Sequence, residues 1–137
     1  MKRLSLLAVA IGIAVAILAP TASASTAPLQ SLAGRWTGTL DGVKPKIVVT
    51  IDLAGQWNGS RTTLTGNISC SGRLTFVGKG SASYRFSEHI TKSTSPSCEL
   101  ARGRVVFTPL ADGRLDYAWK LLGGGQSSTA TLSRSLT

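Results

Sequence analysis

Two hydropathy rhythms divide the chain. From Leu4 to Ala19 it is almost continuously apolar behind the basic pair Lys2-Arg3. From Gly34 onward it breaks into short runs in which apolar and polar residues alternate, separated by Gly, Asp, Asn and Ser, with no helical spacing. Period two on short runs bounded by turn-forming residues predicts antiparallel strands. Eight are predicted, over 34–41, 46–53, 62–69, 72–79, 82–91, 99–108, 113–121 and 127–135. Asp41-Gly42, Asn58-Gly59 and Asp112-Gly113 accept the positive φ of tight hairpins and mark breaks between them.

Following the alternation sorts the side chains onto two faces. Trp36, Leu40, Ile47, Val49, Ile51, Leu53, Leu64, Ile68, Leu74, Phe76, Tyr84, Phe86, Ile90, Val105, Phe107, Leu115, Tyr117, Trp119 and Leu132 fall on one. The other carries Arg35, Thr37, Thr50, Asp52, Arg73, Thr75, Arg85, Ser87, His89, Arg104, Asp116, Lys120 and Thr131. One apolar and one wet face on eight consecutive strands predicts an all-β fold, an antiparallel up-and-down eight-stranded barrel, with a β-sandwich as the alternative. The parity slips between Leu100 and Val105, which predicts a β-bulge near Gly103. So many bulky inward residues on short strands nearly fill a small barrel. The interior is therefore expected to be core, with at most a small pocket at one end.

The opening Leu32-Ala33-Gly34-Arg35-Trp36 resembles the G-x-W start of the calycin superfamily, the lipocalin and avidin type of antiparallel barrel. In that family the Trp plugs one barrel end and an Arg of the last strand packs over it. The resemblance gives these structural roles to Trp36 and Arg134, which shares a strand face with Leu132. An arginine at a barrel end can also stack on indole while hydrogen-bonding rim carbonyls. CSGRLTF, YRFSEHI and LDYAWK likewise resemble small secreted bacterial calycin-like domains. The chain is shorter than a typical lipocalin, and avidin's biotin ligands have no counterpart here, so biotin binding is not implied.

The apolar N-terminal run ends at Pro20 and the small triplet Ala22-Ser23-Ala24, the pattern of a secretory signal peptide cleaved before Ser25. The expected organisation is a signal over 1–24, a loose leader over 25–31 and a β-barrel domain over 32–137. The mature product is expected to be secreted, extracellular or periplasmic, with no membrane span. In an exported chain the two cysteines, Cys70 and Cys98, read as a disulfide. Closing a loop of about 28 residues is worth roughly 3–4 kcal/mol in the chain-entropy model.

Charge narrows the functional classes. Fifteen Lys and Arg face six Asp and Glu, a formal net charge of +9. Arg73, Lys79, Arg85 and Arg104 fall on the outer face of neighbouring strands and form a candidate stripe for polyanions, with Asp116 and Glu99 set against it. The cations lack the interleaved exposed aromatics of a nucleic-acid surface, so no specific nucleic-acid partner is expected. His89 is the only histidine, faces outward and has no nucleophile motif beside it. No metal site, cofactor or catalytic residue is expected. Glu88 is turned inward between Phe86 and Ile90, where a carboxylate needs a partner. An Arg or the Tyr117 hydroxyl would supply a structural pair; a ligand-anchoring role is the alternative. Trp57 lies in the turn 54–59, where it either contacts a partner or folds over the barrel mouth. Gly123-Gly124-Gly125 reads as a turn, since no Lys-Ser/Thr and no helix follow it.

These residues support a non-enzymatic binding module, expected to be monomeric. Loops around Trp57 and a basic wall of Arg73, Arg85 and Arg104 would engage a protein or an anionic cell-envelope polymer, and an inhibitor-like role is a variant. The alternative is a lipocalin-like carrier of a small apolar molecule, in a pocket lined by Trp119, Tyr117 and Glu88.

Overall fold

The computed structural model describes residues 32–54, 58–94 and 102–136. The strands are β1 (Gly34–Thr39), β2 (Val48–Ala54), β3 (Asn58–Thr65), β4 (Ile68–Lys79), β5 (Tyr84–Ser93), β6 (Arg102–Pro109), β7 (Leu115–Leu121) and β8 (Ser127–Arg134). Each pairs antiparallel with the next, and β8 returns to β1 to close a barrel. At the seam Trp36 lies opposite Arg134 and Thr37 opposite Ser133. It is extended by Asp41 N–H donating to Thr129 O and Ser135 N–H to Arg35 O, both at 2.9 Å. An unbroken ladder leaves no sheet edge, which sets the sandwich alternative aside.

The period-two pattern places the core inside the barrel. Along β5 burial alternates without interruption from Tyr84 to Ile90. Val49, Ile51, Leu74, Val105, Leu115 and Leu132 are fully buried. Phe76, Phe86, Phe107 and Tyr117 form a chain of ring contacts, with centroids 5.4, 5.3 and 6.0 Å apart in that order. Each such pair contributes about 0.5–1.5 kcal/mol beyond its area burial.

Three sequence expectations are corrected. The run 62–69 is not one strand: the chain reverses at Gly66-Asn67, where Gly66 adopts φ 56°, a left-handed conformation glycine takes without steric cost. Asn58-Gly59 is not a turn but the start of β3, opposite Ala54 and Leu53. Second, Leu64 is exposed, and Arg61 and Thr63 face the interior instead. Arg61 lies opposite Ile51 and Thr63 opposite Val49, so β3 takes its facing from the strongly apolar β2. Third, β6 pairs from Arg102 to Pro109 without a shift, whereas the irregularities lie in β4, at Ser71/Gly72 and Phe76/Gly78. Leu100, which suggested the slip, lies outside the described residues. So do the expected signal peptide and leader, Trp57, and the Cys98 half of the expected disulfide.

Candidate functional site

Strand register arranges the outer face of β4–β7. Arg73 on β4 lies opposite His89 on β5, which lies opposite Arg102 on β6. In the next row Ser87 lies opposite Arg104, and Arg104 opposite Lys120 on β7. Arg85 follows on β5, and all six basic side chains are exposed. Directly opposite residues project to the same side with Cβ atoms roughly 4.5–5.5 Å apart, so Arg104 and Lys120, like charges in register, repel by a few tenths of a kcal/mol. Among the described residues this wall has no ion pair. Salt bridges among the described residues join Arg35 to Asp52, Arg114 to Asp112 and, inside the barrel, Arg61 to Glu88. Asp116 sits farther along β7 and accepts a hydrogen bond from Thr131 at 3.3 Å. Glu99 lies outside the described residues.

Lys79 does not join the wall. The irregularity at Phe76/Gly78 changes the parity of β4, and the Lys79 ammonium sits 5.8 Å from the Tyr84 ring centroid. The wall instead gains Arg102, which the sequence reading omitted because the slip assigned to Gly103 obscured its facing.

The interior holds a charged cluster. Glu88 is fully buried, and its two oxygens reach in opposite directions. Oε1 accepts from Arg61 Nε on β3, and Oε2 accepts from Trp119 Nε1 on β7 at 2.5 Å. Each partner lies two strands away, so the carboxylate must pass over β4 on one side and β6 on the other. The residues it passes are glycines. A Cβ at Gly72 would come within 2.7 Å of Oε1, and one at Gly103 within 3.1 Å of Oε2. The Arg61 guanidinium carbon also lies 5.5 Å from the Trp119 ring centroid.

This geometry makes the cluster a structural network in which both oxygens of the Glu88 carboxylate are paired. Burial disfavours the Arg61 cation, but the nearby Tyr117 oxygen and Glu88 carboxylate outweigh it and hold the guanidinium above the usual arginine range. Burial pushes the Tyr117 hydroxyl up to about 12. That hydroxyl makes no hydrogen bond of good geometry, although Arg61 and Ser128 are close enough to act on it electrostatically. Glu88, Tyr117 and Trp119 are thus brought together. The sequence pointed to an Arg or Tyr117 as the partner of Glu88, and the partner is Arg61. Arg61 was missed because the misplaced third strand hid its inward facing.

At the end of the barrel where β1 begins, Trp36 is buried and donates from Nε1 to Leu32 O at 2.9 Å. The Arg134 guanidinium carbon lies 4.4 Å from its ring centroid, while Nη1 donates to Ala33 O at 2.6 Å. His89 stands on the outer wall between Arg73 and Arg102. Among the described residues no three His, Cys, Asp or Glu side chains gather as a metal site, and no helix is long and apolar enough to cross a membrane. No protein-family model matches the chain, and no curated protein or solved structure is significantly similar to it.

Proposed function

We propose that the protein is a secreted, non-enzymatic binding module of calycin-like type that engages an anionic polymer through the β4–β7 wall. The observation that carries this reading is the register of Arg73, His89 and Arg102 in one row and of Arg104 and Lys120 in the next, with no acid interleaved among the described residues. Arg104 opposite Lys120 works against the stability of the sheet, and the grouped cations of both rows attract a polyanion. Four strands at about 4.8 Å spacing make a face roughly 14 Å wide, broad enough to neutralise several charges of one polymer. The chain of aromatic contacts through the interior favours this outer surface over a carrier's lumen.

The same reading includes export by the N-terminal signal and a Cys70–Cys98 bridge joining β4 to the β5–β6 connection. The test is retention of the mature protein on a sulfated polysaccharide and on polyphosphate across a salt series. Affinity should fall steeply with salt, as counterion release requires. Exchange of Arg73 and Arg104 for Gln should weaken binding at least tenfold with unchanged circular dichroism. Binding indifferent to both salt and these substitutions would refute the assignment. Displacement of the polymer by a strongly acidic protein would redirect it to a protein partner.

A further inference from the structure

Where the wall meets the β7–β8 connection, the surface folds into a cleft of about 440 Å³. Arg104, Lys120, Leu121, Leu122 and the glycine run 123–125 line it. Arg104 and Lys120 lie directly opposite each other on β6 and β7, so their charges converge on one edge. The connection is anchored by Leu121 N–H donating to Gln126 O and Leu122 N–H to Arg102 O, at 3.0 and 2.9 Å. Between these anchors the amides of Gly123, Gly124 and Gly125 make no hydrogen bond among the described residues. Gly123 adopts φ 80°. Successive unpartnered amides in a turn are donors that suit an anion. No acidic side chain lines the cleft.

We infer that this cleft is a subsite for a phosphate or sulfate ester carried on a sugar-sized unit. Arg104, Lys120 and the glycine amides would hold the ester, and the unit's carbon skeleton would lie on Leu121 and the half-exposed Leu122. The volume is that of a small-ligand site and exceeds what a bare tetrahedral anion fills. An apolar side is also more than such an ion can use. The inference rests on the anionic-polymer reading and refines it: the wall attracts the chain, and the cleft seats one of its units.

Gly125 provides a direct test. A Cβ there meets nothing within 4 Å, whereas one at Gly124 would come within 2.6 Å of Leu121 Cδ2. Gly125→Glu therefore sets a carboxylate at the cleft without a clash in the fold. The experiment is calorimetric titration of the mature protein with a hexose phosphate, the matching hexose sulfate, the neutral hexose and inorganic phosphate, with polyphosphate retention measured on the same samples. Saturable binding of an ester is expected, at least tenfold tighter than inorganic phosphate or the neutral hexose. It should be weakened at least tenfold by Gly125→Glu and by Lys120→Gln and left within twofold by Arg73→Gln. Whichever ester binds more tightly identifies the anion.

Ester binding no tighter than inorganic phosphate, or unchanged by Gly125→Glu, would overturn the subsite. If polyphosphate retention stayed strong and sensitive to Arg73→Gln in that case, the wall reading would stand alone. Tight ester binding with no polymer retention would support the cleft and defeat the polymer reading.

Discussion

The buried Glu88–Arg61 pair can be tested with two methionine substitutions. Arg61→Met leaves a fully buried carboxylate with Trp119 Nε1–H as its remaining side-chain donor. Glu88→Met leaves the Arg61 guanidinium, itself buried, without its counter-charge. Breaking a buried pair from either side costs about 3–5 kcal/mol. Replacing both partners removes both buried charges, and what remains is the Trp119 N–H without its acceptor, about 1–3 kcal/mol. The two single losses therefore exceed the double loss by roughly 3 kcal/mol or more, which is the coupling energy of the cycle. The assay is urea unfolding of the four proteins followed by tryptophan fluorescence. In thermal scans, at about 4 °C per kcal/mol for a domain near 100 residues, each single variant should melt on the order of 15 °C lower. Single losses below about 1 kcal/mol with negligible coupling would refute the reasoning, because they would mean that water screens the pair.

Trp36→Ala should cost on the order of 3–5 kcal/mol as a large core truncation, and an unchanged melting temperature would sink its role as the barrel plug. Tyr117 ionises at about 12 instead of 10.0, so folding favours its protonated form. The stability this provides is complete below pH 10 and is lost as pH rises to about 12, about 2–3 kcal/mol in all. Tyrosinate absorbance of the native protein minus that of Tyr117→Phe should show the late transition, and a difference titrating near 10 would contradict the burial argument. Thiol titration of the unfolded mature protein without reductant should find no free thiol, whereas two would remove the proposed Cys70–Cys98 bridge.

Much of the architecture is legible in the order of the residues, because side chains on a strand alternate between faces. That periodicity, with Gly at the turns, determined eight strands and the inner face of β2, β5 and β7. It also turned Glu88 inward and His89 outward. It failed where the local signal was thin. Thr62, Thr63 and Thr65 surround the single Leu64, so β3 has no apolar stripe to announce its facing. Its neighbours decided, and pairing with Ile51 and Val49 drew Arg61 and Thr63 into the lumen. The parity of β4 was likewise settled by irregularities in its ladder with β5.

The sites depend still more on register. Composition shows an excess of cations, but only the offsets between β4, β5, β6 and β7 bring Arg73, His89 and Arg102 into one row and Arg104 beside Lys120. Only those offsets lay Glu88 across Gly72 and Gly103 to partners two strands away on either side. Alternation is a property of one strand and can be read from its residues. Register belongs to a pair of strands, and it is settled only when the whole barrel closes around a common core.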